Sequence, residues 1–166
     1  MIYVANDAPR STLPLLDNAL LWTMQAWVVG QCRGGDVAKR IADVYADLGA
    51  PEAAGYLDGF MWVLSQGAIR LLEVNCVCCD TVSADERALL DVFALVQEAQ
   101  EGEALALLGT MAMPGAALAA RSSALRLVAA LNEAGQCLPE SGAALRRHLL
   151  VPPPGRLAMP MPGWLQ

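Results

Sequence analysis

The stretch Ser83-Ala84-Asp85-Glu86-Arg87-Ala88-Leu89-Leu90-Asp91-Val92-Phe93-Ala94-Leu95-Val96 decides the fold class. A serine followed three residues later by a glutamate is a capping box, in which each side chain takes a backbone N–H that the first helical turn leaves unpaired. Asp85 and Glu86 also suit the positive end of a helix dipole. Leu89, Val92, Phe93 and Val96 then recur at helical spacing and form one core face. The pattern predicts a helix from Ala84 that ends near Gly102.

Upstream, residues 73–82 break the helical period. Val74-Asn75-Cys76-Val77-Cys78-Cys79-Asp80-Thr81-Val82 is rich in β-branched residues and cysteine, and reads as a loop or short extended segment. Before it, Pro51 suits the first position of a helix over 51–72. Tyr56, Phe60 and Val63 lie on one side of that helix, with Leu57, Met61, Leu64 and Ala68 beside them. Gly55, Gly59 and Gly67 fall near one stripe. Each costs about 1 kcal/mol of helix propensity relative to Ala, a cost that close approach of a neighbouring helix offsets.

Earlier still, Asp36 is placed to cap an amphipathic helix with Val37, Ile41, Val44, Tyr45 and Leu48 inward and Lys39, Arg40, Asp43 and Asp47 in water. A first helix over 13–31, capped by Thr12 or Ser11 with Pro14 in its first turn, is apolar nearly all round. Such a helix is central or shared between subunits. Downstream, a short helix is expected over 103–112, a long one from Pro114 to Glu133, and a last one over 139–150. Pro152-Pro153-Pro154 cannot continue it.

The chain therefore reads as an all-α, single-domain bundle of six or seven helices. Residues 1–9 form an extended N-terminal arm and residues 1–150 the helical domain. Residues 151–166 form a Pro-rich tail carrying Leu157, Met159, Met161, Trp164 and Leu165, expected to pack on the domain or on a partner subunit.

Composition agrees. The 166 residues are 55% hydrophobic, only 5% aromatic and only 17% charged; Ala and Leu, strong helix formers, supply most of the apolar content. A net charge of −6 argues against a nucleic-acid partner. The acids concentrate in residues 71–103 and the C-terminal third is mildly basic, which suits two solvated faces of opposite sign. Lys39 is the sole lysine, an Arg-over-Lys bias of GC-rich genomes that points to a bacterial source. Residues 1–11 lack a secretory pattern, so reduced thiols and a cytoplasmic location are expected. No membrane span is expected, because Pro114 and Gly115 interrupt the uncharged stretch 104–120 and Asn18, Gln25 and Gln31 interrupt 18–32. Low charge instead favours surface buried in a homo-oligomer, most simply a dimer.

Several chemistries are excluded. No glycine-rich phosphate loop occurs, and the single histidine, His148, rules out a two-histidine zinc protease motif. The paired acids Asp43/Asp47 and Glu98/Glu101 have polar surroundings and read as solvated faces. What remains is Cys76-Val77-Cys78-Cys79. Cys76 and Cys79 have the spacing of a metal knuckle or redox pair, and thiolates suit zinc or other soft ions. Cys137 is the first further donor to consider, with Cys32, Asp80 and His148 behind it. Glu73, Asp80, Asp85 and Glu86 are expected to disfavour a nearby thiolate.

The leading expectation is a homo-oligomeric interaction or regulatory module without catalysis and without a cofactor. One alternative is a metal- or thiol-dependent sensor using Cys76, Cys78, Cys79 and Cys137, with zinc as the candidate ion. Another is a helical binder of a small apolar ligand lined by Trp22, Met24, Trp27, Met61 and Trp62.

Overall fold

The computed structural model describes residues 8–140. Within them lie six α-helices: α1 (Leu15–Arg33), α2 (Val37–Asp47), α3 (Ala53–Gly67), α4 (Ala84–Gln97), α5 (Glu101–Gly109) and α6 (Pro114–Glu133). The all-α expectation holds. Two two-residue strands, β1 (Ala8–Pro9) and β2 (Thr81–Val82), pair antiparallel with Ala8 opposite Val82. The expected arm is thus extended where it is described. The expected helix over 139–150 and the tail 151–166 fall outside the described residues, apart from Pro139 and Glu140. No described helix is long and apolar enough to cross a membrane.

The capping box forms as read: the Ser83 hydroxyl accepts from the Glu86 N–H, and the Glu86 carboxylate accepts from the Ser83 N–H. Helix α4 nevertheless stops at Gln97. Ala99 adopts a left-handed φ of 57°, and the Gln100 N–H reaches back to the Leu95 carbonyl. This is the closing pattern usually given to glycine, and an alanine in that role leaves no signal in the sequence. Two other expectations fail at helix starts. Asp36 makes no capping hydrogen bond, and α1 begins after Pro14 rather than before it.

The core is built where α3 and α6 share the largest interface between elements, with α4 across them. Phe60 of α3 and Phe93 of α4 meet with ring centroids 4.8 Å apart at 46°. Around them Leu57, Leu89, Leu95, Leu108, Met111 and Leu127 are fully enclosed. Tyr45 of α2 is wholly buried, its hydroxyl paired with that of Thr23 at 3.1 Å, and burial pushes its ionisation up. The first helix is less uniformly buried than its sequence suggests: Leu20, Leu21 and Met24 are enclosed, whereas Leu15 is 85% exposed. Leu118 of α6 is also exposed.

The glycine stripe faces α6 in part. A Cβ at Gly67 would overlap the Ala116 side chain, one at Gly59 would touch the Ser123 hydroxyl at 3.5 Å, and one at Gly55 would meet nothing. Helix α3 ends at Gly67 rather than at residue 72 because the chain there turns extended and pairs elsewhere. The Gly67 carbonyl accepts from the Met113 N–H, and the Ile69 N–H donates to the Met111 carbonyl. The released segment, 68–80, leads directly to the cysteines.

Gly67→Ala forces the α3–α6 contact apart at that bridge. It is expected to cost about 1–3 kcal/mol in urea unfolding, despite the better helix propensity of Ala. Adding Ala116→Gly should recover part of that loss; additive costs in the double-mutant cycle would refute the close approach.

Candidate metal centre

Carboxylates at the start of α4 hold the cysteine segment. The Asp85 carboxylate receives both ends of the Arg70 guanidinium, at 2.6 and 2.9 Å, and the Glu73 N–H at 2.8 Å. Arg70 and the Glu73 N–H keep the Asp85 carboxyl below its ordinary value of 3.8, against an opposing effect of burial. Glu86, fully buried, takes the Asn75 N–H and the Gln25 side-chain amide at 2.8 Å each, beside its capping bond. Ser83 donates its hydroxyl to the Glu73 carbonyl at 2.5 Å. Across the base of the loop, the Asn75 amide donates to the Thr81 carbonyl at 3.0 Å.

Arg10 closes the other side. Its N–H donates to the Asp80 carbonyl at 2.7 Å, and its guanidinium donates to the Val77 carbonyl, Gln25 and Asn18 at 3.0, 3.1 and 2.8 Å. The loop is therefore fastened at residues 73, 75, 77, 80 and 81, while its tip points outward. Between those fixings, the Cys79 N–H donates to the Cys76 carbonyl at 3.0 Å and makes one tight turn.

The turn brings Cys76, Cys78 and Cys79 together. Their three sulfurs lie within 4.8 Å of one another, with Cys76 Sγ 2.7 Å from Cys78 Sγ and 2.8 Å from Cys79 Sγ. Cys76 and Cys78 are exposed and Cys79 half-buried. Among the described residues no carboxylate or imidazole enters this group.

Cys137 does not join it. Its neighbours Gln136 and Leu138 bond to Leu48 and to Gln97, the last residue of α4, whereas the loop is bound through Glu86 near the first. Eleven residues of helix separate those anchor points, about 16 Å of rise. Cys32 sits exposed in the last turn of α1, Asp80 stays out of the group, and His148 lies outside the described residues.

One of the three thiols, Cys76, is more activated than the local acids suggest. The Cys78 thiol, then the Cys79 thiol, donates to Cys76, and backbone hydrogen bonds from both residues add to this. Together they hold Cys76 down to about 7 from an ordinary 9.0. Cys78 and Cys79 are pushed up by the same bonds to Cys76. Arg70 pairs with Asp85, and the Arg10 guanidinium lies against the loop at Val77, so two of the four nearby acidic charges are offset. One shared thiolate with two thiols beside it is chemically a nucleophile and a soft ligand set.

The apolar-ligand expectation finds less. Trp27 and Met61 line a groove of about 250 Å³ with Leu64, Leu71 and Leu72, below the roughly 300 Å³ at which ligand pockets begin. Met24 is enclosed in the core and Trp62 faces solvent. The Arg40 guanidinium lies 5.4 Å from the Trp22 ring centroid.

Sequence reasoning named the three cysteines but not the residues that position them: Arg10, Gln25, Arg70 and Asn75. Gln25 alone left a trace, as a polar residue inside an otherwise apolar helix. Comparison of the chain with protein-family models, curated proteins and solved structures finds no match.

Alkylation of one thiol per chain should rise with pH around a midpoint near 7, because only the thiolate attacks. Peptide mapping should place it at Cys76. In Cys78→Ala and Cys79→Ala the midpoint should move up toward 9; an unmoved midpoint would dismiss the shared thiolate.

Proposed function

We propose that this protein is a thiol-based sensor that binds a soft metal ion through Cys76, Cys78 and Cys79. The observation that carries the reading is the convergence of three sulfurs on one exposed turn whose backbone is fixed on both sides. A fixed backbone limits the ordering cost of gathering ligands, and an exposed tip lets an ion enter without opening the fold. Zinc fits the donor chemistry, with three thiolates and an outside ligand or water completing its coordination. Arg10 supports the sensing role. It binds the loop at Val77 and Asp80, α1 at Asn18 and Gln25, and immediately follows β1. A shift at the turn is therefore felt by both the arm and the first helix.

Titration of the reduced, metal-free protein with Cd²⁺ should give sulfur-to-metal charge-transfer absorbance that saturates at one ion per chain. Zn²⁺ should displace it. Cys76→Ser should abolish the absorbance and Cys137→Ser should leave it intact. Absence of the absorbance in the wild type would refute the reading.

A second reading is self-association, favoured by one surface feature. Ile69, Met113 and Leu118, all half or more exposed or nearly so, share a groove of about 370 Å³ with Leu105, Ala112 and Ala117. Its occupant would be the same face of a second copy. Light scattering during gel filtration should give a dimer mass that Leu118→Glu converts to 17.6 kDa; a monomer in the wild type at micromolar concentration would end this reading.

A further inference from the structure

We propose that the ion this site is built for is three-coordinate and pyramidal, of the trivalent arsenic class, taken up as neutral arsenous acid. The inference deepens the metal-binding reading above and rests on it. Its ground is the shape of the donor set. Residues 76, 78 and 79 supply their sulfurs from a single turn closed by the Cys79–Cys76 backbone bond, so all three approach an ion from one side.

Tetrahedral zinc in a structural site needs a fourth protein donor, commonly from a second cysteine or histidine pair. Among the described residues none stands with these three sulfurs, and Cys137 is held at the opposite end of α4. Trivalent arsenic asks for no fourth donor. It binds three sulfurs on one side and keeps a lone pair on the other. Three sulfurs within 4.8 Å of one another on one turn are near enough to reach such an ion together.

Charge favours the same ion. Glu73, Asp80, Asp85 and Glu86 belong to or flank the loop, against Arg10 and Arg70. Three thiolates around zinc leave one added negative charge in this acidic neighbourhood, whereas three thiolates around trivalent arsenic leave none. Uptake balances without a redox partner. Three As–O bonds break and three As–S bonds form. Each hydroxide leaves as water with a proton from a thiol, or from solvent where the sulfur is already ionised, and arsenic stays in the +3 state. The first As–S bond forms at Cys76, whose sulfur lies against both others. Cys78 and Cys79, already in contact with it, then close the remaining two intramolecularly.

Native mass spectrometry of the full, reduced chain with arsenite alone as the probe tests this. The expected product carries one arsenic less three hydrogens, the signature of three As–S bonds. Cys78→Ala and Cys79→Ala should each weaken uptake by about 100-fold, the loss of an intramolecular third ligand, while Cys137→Ala behaves as the wild type. An adduct retaining a hydroxyl on arsenic, or a Cys78→Ala chain that binds as well as the wild type, would overturn the proposal by showing a two-thiol site. Cd²⁺ in a parallel titration separates the two levels of the argument. Cd²⁺ binding without arsenite uptake refutes the arsenic inference and leaves the metal-binding reading standing; failure of both ions refutes both.

Discussion

The Glu86 carboxylate is the constraint on which the rest of this end of the molecule depends. It is fully buried, yet three donors from three places converge on it: the Ser83 N–H of its own helix start, the Asn75 N–H of the cysteine segment and the Gln25 amide of α1. The N-terminal end of α4 supplies positive dipole to the same spot. A buried charge is tolerable when its lone pairs are used in this way, and a partly satisfied network costs more than an apolar substitute. One side chain thus starts a helix, joins it to another and sets the path of the segment between α3 and α4.

Asp85, its neighbour, does the complementary task nearer the surface. Arg70 and the Glu73 N–H occupy it, which fixes the segment one step earlier along the chain. Asp85 and Glu86, which from the sequence oppose a thiolate, also build its support. What remains at the tip is sulfur chemistry on a rigid base, with hydrogen bonds among the three thiols concentrating ionisation on Cys76. The hydrophobic core, centred on Phe60 and Phe93, takes in Leu89 and Leu95 of α4 as well and holds that helix in place.

Most of the helices could be read from periodicity and punctuation, because Ser83 and Pro114 signal their roles by residue type. The errors fall where an ordinary residue does an unusual thing. Ala99 ends α4 in a left-handed conformation, and the extended pairing of 67–69 with 111–113 ends α3 early; that pairing depends on a segment more than forty residues distant. The cysteine triad was legible because its three members lie within four positions. Its supports were not, since Arg10 reaches Val77 across 67 positions and Gln25 reaches Glu86 across 61. Cys137 looked eligible in one dimension and is excluded in three.

That compactness of the triad has a thermodynamic consequence. A ligand stabilises a fold only through the difference between its affinities for folded and unfolded chains. When donors come from distant segments, the unfolded chain scatters them and binding is tied to folding. Here the three sulfurs remain neighbours in the unfolded chain as well, so an ion bound to them would lose only the benefit of the fixed turn when the protein melts. Were the proposed ion bound here, its occupancy would thus be largely decoupled from global stability, and the protein could be filled or emptied without gaining or losing its fold.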